Sequence, residues 1–358
     1  MALAIATSQL SAEALPPEER PKPGDAGLGP EPLIVDGISY IPTSVLLTGI
    51  PKVTLKDESA FAVLDDHGES PRIYSGGSEL GFYFHDTRYL SVWEMSFNGE
   101  SAISLSSEHR FGGNTAVFSM TNRDMPMLGG SGRIRRDMLL IRRVLSLQED
   151  VVYETVEIKN FDSRPHELQV EQWVGSRFDD VFEVRGYSRQ KRGRMLPSVE
   201  QESSAGRTTV LQYEGLDGLV RRVHIARLFP TEKIRVSPSL SGQFHRVTVP
   251  AKSSVELKTV VSFDRAPPAD FHAIPYVEIP IARKMALLAE EAETSPVTKV
   301  KFHTDNAIID RSILNAQVDI YMLLTQEPSG LLYPYAGIPW FSAPFGRDGL
   351  ITAYQLLP

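Results

Sequence analysis

Trp340, Phe341, Arg347 and Asp348 sit close together in the run GIPWFSAPFGRDGLITAY, Gly337 to Tyr354. Aromatic rings stack on the CH-rich faces of pyranoses, and an Arg-Asp pair can grip vicinal hydroxyls through charge-assisted hydrogen bonds. The apolar segment beginning at Gly349 reads as a helix. Asp348 therefore falls at or near a helix N-terminus, where free N–H groups and the helix dipole favour a carboxylate. The same residues also suit a capped helix preceded by a buried aromatic turn. Residue types alone leave both readings open.

Three runs together resemble a known family. Trp340-Phe341-Ser342 followed by Phe345-Gly346-Arg347-Asp348-Gly349 resembles the segment that leads into the catalytic (α/α)6 barrel of bacterial glycogen-debranching-enzyme-like proteins, the amylo-α-1,6-glucosidase type. Gly81 to Ser91 (GFYFHDTRYLS) is similar to the F-x-x-D-T-R-x-L-S signature of that family's N-terminal domain, with Tyr83 in place of the leading Phe. Phe178 to Gly186 (FDDVFEVRG) resembles its D-F-A-D-x-F-E-V-R-G run, with Arg177 replacing the first Asp and Asp179 the Ala. The three occur in the family's order.

The resemblance implies an α-glucan or oligosaccharide substrate. Arg347 and Asp348 would bind hydroxyls of a glucosyl unit, Trp340 and Phe341 would shape the pocket, and Tyr333 or Tyr335 would line its rim. Related barrel enzymes use two carboxyl groups, roughly 6.5–9.5 Å apart in the inverting geometry. The family's acid/base pair is expected downstream of Pro358, so no catalytic residue is assigned within the chain. Two alternatives stay open: a non-catalytic carbohydrate-binding or scaffolding module, and a disaccharide phosphorylase or a trehalose- or kojibiose-type glucosidase on the same scaffold.

The elements that must position these residues are mainly β. Residues 1–32 are rich in Pro, Glu and Ala and read as a disordered tail. From 33 to 264, short alternating runs broken by turn signals predict a large antiparallel β-sandwich, the super-sandwich that the resemblance implies. Expected strands include Leu33–Val35, Ser44–Leu47, Ser91–Phe97, Arg207–Tyr213, Leu219–Leu228, Gln243–Val249 and Ser254–Ser262. Asn98-Gly99 predicts a hairpin turn, and Val151–Ile158 and His166–Trp173 read as consecutive antiparallel strands. A proline-rich linker with a short helix, Ala282 to Glu293, spans 265–300. From 301 to 358 the pattern turns helical. Thr304 or Asp305 is expected to cap a helix with Ile309, Ile313, Ala316, Ile320 and Leu324 on one face. The resemblance makes this segment the start of an incomplete (α/α)6 barrel, with apolar helix faces left uncovered within the chain.

Composition narrows the classes. Of 358 residues, 42% are hydrophobic and the formal net charge is −8, which argues against non-specific binding to nucleic acid or anionic membrane. No run approaches the roughly 18 apolar residues of a membrane span, the N-terminus lacks a signal-peptide pattern, and a cytoplasmic location is the default expectation. Cysteine is absent, the eight histidines are dispersed, and Gly129 to Gly132 lacks the ending of a phosphate-binding loop, so no metal or cofactor is expected. Two basic clusters, Arg133, Arg135, Arg136, Arg142 and Arg143, then Arg185, Arg189, Lys191, Arg192 and Arg194, are read as solvated strand faces or loops. His85, Asp86 and Arg88 crowd together, and an Asp86–Arg88 pairing that ties a strand to its neighbours is expected. A structural role is likewise expected for Asp179, Asp180, Glu183 and Arg185, with a contribution to a sugar subsite kept open.

Overall fold

The computed structural model describes residues 12–14, 33–35, 38–40, 51–74, 78–110, 113–129, 131–187, 189–203, 206–229, 232–267, 303–326 and 332–355. Ser44–Leu47, the linker helix at Ala282–Glu293, and most of the tail and the linker lie outside these residues.

The molecule is mainly β, as the alternation predicts. An antiparallel eight-stranded sheet runs in the order 194–203, 206–214, 220–227, 254–263, 151–160, 139–148, 115–121, 103–110. Facing it is a five-stranded sheet ordered 12–14, 233–236, 240–249, 166–175, 92–97. A third sheet, ordered 179–180, 87–90, 81–84, 60–64, 53–57, closes the end of the sandwich. Its strand Ala60–Leu64, between 81–84 and the edge strand 53–57, is buried on both faces. Ala60, Ala62 and Leu64 join the main core, while Phe61 and Val63 join a second cluster with Leu80 and Tyr83. Successive side chains on a strand point to opposite faces, so this strand must be covered twice.

Two pairings differ from the expected ones. Val151–Asn160 lies in the eight-stranded sheet and His166–Gly175 in the five-stranded one, so the connection crosses between layers rather than closing a hairpin. Asn160 holds that corner: fully buried, its amide donates to the carbonyls of Arg164, Val249 and Pro250. Asn98-Gly99 does form a turn, through reciprocal bonds between Phe97 and Glu100. Its flanking strands then diverge, because Val92–Phe97 pairs with His166–Gly175 instead.

The interior carries a row of polar side chains. Glu154 lies opposite Thr259, which lies opposite Arg227, across three neighbouring strands. Gln172 of the facing sheet donates to Glu154 and Thr259 (3.0 and 3.3 Å) and accepts from Arg227 (2.5 Å). Arg143 binds Glu154 and Glu69 at 2.7 and 3.1 Å and faces the ring of Trp93. Arg143 is thus buried, not part of a solvated face, because it falls in phase with the core residues Leu139, Ile141, Leu145 and Leu147. Burial pushes the Glu69 carboxyl up to about 8 and the Arg227 guanidinium down to about 10.

Among the described residues three helices lie at the margins of the strand pattern. α1 is the single turn Val181–Val184, α2 spans Ala307–Leu323, and α3 spans Gly346–Gln355. Asn306, rather than Thr304 or Asp305, caps α2: its side chain accepts from the Ile308 N–H, and Thr304 in turn accepts from the Asn306 N–H. Leu324 has left the helix for a short strand, Leu324–Gln326, paired with Leu332–Pro334. Ile309 is exposed while Ile313, Ile320 and Leu324 are half-covered, and on α3 Leu350, Ile351 and Tyr354 are exposed. Among the described residues no helix is long and apolar enough to cross a membrane.

Lys56 joins the C-terminal segment to the sandwich. It is 2% exposed, donates to the Glu58 carbonyl and the Thr325 hydroxyl (both 2.7 Å), and lies 5.0 Å from the Tyr335 ring. Burial lowers its pKa from 10.5 to about 8. Between those values the unfolded chain holds the proton and the folded one does not, so stability rises with pH. Lys56→Met lacks that term. The wild-type unfolding free energy minus that of the variant should be flat below pH 8 and climb by about 3 kcal/mol toward pH 10.5. A difference independent of pH in denaturant titrations would show that Lys56 keeps an ordinary pKa.

Candidate functional site

The corner begins at the hairpin of Gly81–Phe84 and Thr87–Leu90, whose turn is His85-Asp86, with His85 at φ +51°. Asp86 therefore sits in a turn, out of strand alternation with Arg88, and the expected Asp86–Arg88 pairing is not formed. Arg88 folds inward instead, donating to the carbonyls of Ser78 and Leu80 at 2.6 and 3.1 Å. Gly81, at φ +142°, makes room: a Cβ there would meet the Leu90 carbonyl at 2.3 Å and the Arg88 chain at 2.8 Å. The Arg88 guanidinium, 3% exposed, binds the Asp179 carboxylate, 5% exposed, at 2.8 Å. Asp179-Asp180 pairs as a short strand with Thr87-Arg88.

That pairing delivers α1. Asp180 caps it, accepting from the Phe182 and Glu183 N–H groups at 2.8 and 2.9 Å, and Glu183 reciprocates by accepting from the Asp180 N–H at 3.1 Å. The Val181 N–H donates to the Asp86 carbonyl at 3.0 Å. Arg192 bridges Asp179 and Glu183 at 3.0 and 2.8 Å, and Arg189 pairs with Asp180. This part of the second basic cluster is thus a set of counter-ions. Burial raises the Glu183 pKa against the pull of Arg192.

Arg185 ends the turn and behaves differently. Its guanidinium donates to the Trp340 carbonyl and faces the rings of Trp340 and Phe341 at 5.2 and 5.1 Å. Ser342, 8% exposed, donates to the Asp86 carboxylate at 3.3 Å. Gly337 and Phe341 bond to each other's backbone at 2.7 and 3.4 Å, closing a tight loop that contains the cis Ile338-Pro339 bond. Ile338 packs with Val184 on the Phe61, Val63, Leu80 and Tyr83 cluster. Residues from three distant stretches, Asp86, Arg185 and Trp340 to Ser342, thus meet at one corner.

α3 begins five residues further on. Asp348 lies in its first turn, as expected, and is half-buried, while Arg347 is exposed. Neither forms a hydrogen bond or ion pair among the described residues. The Tyr333 ring is pressed against Gly349, where a Cβ would meet its hydroxyl at 2.1 Å, and that hydroxyl donates to the Phe345 carbonyl at 2.8 Å. Phe341 and Phe345 pack edge to face, 5.6 Å between centroids, and remain 49% and 40% exposed. Open aromatic faces beside an uncommitted carboxylate and guanidinium can stack on a pyranose and exchange hydrogen bonds with its hydroxyls. The polar interior cannot. Its cavity beside Glu69 and Arg143 measures about 10 Å3, room for one water.

Sequence reasoning favoured a structural role for Arg185 while keeping a sugar-subsite contribution open, and missed Lys56. An arginine ending a capped turn beside an ordered set of acidic residues is the signal that was available. Asp65, Asp66 and His67 bring three potential ligand atoms together. The Asp65 carboxylate there accepts from the His67 and Glu69 N–H groups, which a turn needs without any metal.

A family model described as the N-terminal domain of some glycogen debranching enzymes matches residues 55–260. The match takes in Gly81–Ser91 and Phe178–Gly186 and ends before Trp340. No curated protein matches the chain. Among solved structures, a protein described as a kojibiose phosphorylase, from the human microbiome, is similar over 75% of this chain at 9% identity and a TM-score of 0.39. The chain spans 35% of that protein's length. A galactose mutarotase-like protein from Lactobacillus casei is similar over 60% of this chain and 100% of its own, at 9% identity and a TM-score of 0.33. The 4-alpha-glucanotransferase of Thermococcus litoralis is similar over 60% of this chain and 38% of its own, at 9% identity and a TM-score of 0.28.

The corner predicts a stability test. Asp179→Ala leaves Arg88 buried without its carboxylate and should cost about 3–5 kcal/mol of unfolding free energy. The double variant Arg88→Met, Asp179→Ala should lose clearly less than the sum of the two single losses. Additive losses in denaturant unfolding would show that the two groups do not depend on each other.

Proposed function

Because this chain belongs to the family of N-terminal domains of some glycogen debranching enzymes, we propose that it is the N-terminal part of an α-glucan debranching glycoside hydrolase of the amylo-α-1,6-glucosidase type. In this reading the sandwich carries the sugar-binding corner, and the segment from α2 onward opens a helical catalytic barrel. Trp340 and Phe341 stack on a glucosyl ring. Arg347 donates to its hydroxyls, Asp348 accepts from them, and Tyr333 props the start of α3 through the Phe345 carbonyl.

The observation that carries the reading is the contrast in how the acidic groups of this corner are used. Asp86, Asp179, Asp180 and Glu183 are all committed to backbone caps, a hydroxyl or arginine partners. Asp348 alone among them has no partner within the described residues. A carboxylate left open beside exposed aromatic rings suits a ligand with hydroxyl donors. A single open carboxylate supports binding rather than a two-carboxyl hydrolysis, so the general acid and base are assigned outside these residues, in an inverting arrangement. The same commitment of side chains also favours the second reading, a non-catalytic carbohydrate-binding module.

The test uses glycogen limit dextrin. The chain should bind it without releasing glucose, and Asp348→Asn should weaken binding by about 1.5–3 kcal/mol for each charge-assisted bond lost. Unchanged affinity would reduce Asp348 to a helix-terminal residue. Glucose release by the chain itself would contradict the assignment and direct attention to the acidic residues of the sandwich. In the intact enzyme, a debranching rate that is insensitive to Asp348→Asn while binding falls would favour the binding-module reading.

A further inference from the structure

We infer that Arg185 is the positioning residue of the sugar-facing loop: the sandwich, through this one guanidinium, sets the orientation of Trp340 and Phe341. The inference rests on the reading of that loop as a glucan site and adds to it a dependence on the sandwich.

Three observations point the same way. First, the charge of Arg185 has no carboxylate partner among the described residues, although the turn it ends carries Asp180 and Glu183. Its neighbours Arg189 and Arg192 take Asp180, Asp179 and Glu183. Arg185 spends its charge on two ring faces and a backbone carbonyl, all from the loop. A planar guanidinium is suited to this, since it stacks on rings while its edge donates hydrogen bonds. Second, Arg185 is held from behind. Its N–H donates to the Val181 carbonyl at 3.1 Å, and the turn that carries it is fixed by the Asp180–Glu183 capping box and the buried Arg88–Asp179 pair. Third, the loop's other polar anchor, Ser342 on Asp86, comes from the hairpin turn bonded to the same α1. The two anchors flank the two rings in sequence.

The physical consequence is preorganisation. Phe341 is half-exposed and Trp340 partly so, and an aromatic ring free to rotate must be ordered at the moment of binding, which lowers affinity. A guanidinium held against both rings removes that cost beforehand. It also occupies one face of each ring, which leaves the other for a pyranose.

Tryptophan fluorescence tests this on the chain as it stands. Of its three tryptophans, Trp93 and Trp173 are buried at 0% and 6% exposure, so acrylamide quenching reports chiefly on Trp340. Arg185→Ala should raise the quenching constant severalfold and weaken binding to glycogen limit dextrin several-fold, with the melting temperature unchanged because Arg185 is at the surface. Arg185→Lys, which keeps a donor but not the planar face, should fall between the two. Unchanged quenching in Arg185→Ala would overturn the inference whether or not the chain binds glucan. Raised quenching with unchanged glucan affinity would equally overturn it, by showing that ring order does not govern binding. Raised quenching in a chain that binds no glucan at all would uphold the positioning role and instead defeat the glucan reading.

Discussion

A guanidinium removed from water is costly unless acceptors meet it, and a carboxylate meets it best. Arg88 finds its carboxylate only if Asp179, 91 residues later in the chain, is brought to it. Everything at the corner where Trp340 meets the sandwich descends from this requirement. Asp179 arrives on a two-residue strand, Asp180 next to it caps α1, and α1 ends in Arg185, which reaches the loop at Trp340. The ion pair is weak evidence for overall stability, since desolvation offsets much of the attraction. Its stronger consequence is specificity: no other register of Asp179-Asp180 against Thr87-Arg88 satisfies both charges.

The same rule operates inside the sandwich on a larger scale. Arg143, Glu154, Gln172, Thr259 and Arg227 form a continuous polar row between two sheets that are otherwise packed with Leu, Val and Ile. A sheet slipped by one residue would turn these groups to the wrong face and leave charges unpaired, so the row pins the register of the strands it crosses. It also separates framework from site. The interior polar groups bond chiefly to one another, whereas the Arg347 and Asp348 side chains, in the first turn of α3, have no partners among the described residues. In the function proposed above, contact with a sugar belongs to the second set.

Much of this was legible in residue order. Period-two alternation located most strands from Val151 to Phe263, though not Arg194–Ser203 or Lys233–Val236, and the helical spacing from Ile309 to Ile320 located α2. The core arginine was legible too, had phase been weighed above charge. Arg143 keeps step with Leu139, Ile141, Leu145 and Leu147, as Glu154 does with Val152, Val156 and Ile158. What alternation does not carry is the choice of layer. His166–Gly175 could pair with Val151–Asn160 by pattern alone, and only the corner at Asn160 sends it to the other sheet. The site residues Trp340, Phe341, Arg347 and Asp348 stood out by type, and the family resemblance gave them a role. Arg185 did not stand out, because its partners lie 155 residues away and its neighbours Arg189 and Arg192 look alike on paper. Lys56 was hidden for a similar reason: its partner Thr325 is 269 residues distant.

The account stands on the sandwich turn and the C-terminal loop acting as one sugar-binding unit. Amide hydrogen exchange of the chain, with and without a maltooligosaccharide, measures that most directly. The account predicts that the ligand slows exchange in 337–349 and in 179–187 together, since Arg185 and Asp86 tie the two segments to each other. Protection confined to the five- and eight-stranded sheets, with both segments unchanged, would place the ligand elsewhere and contradict it.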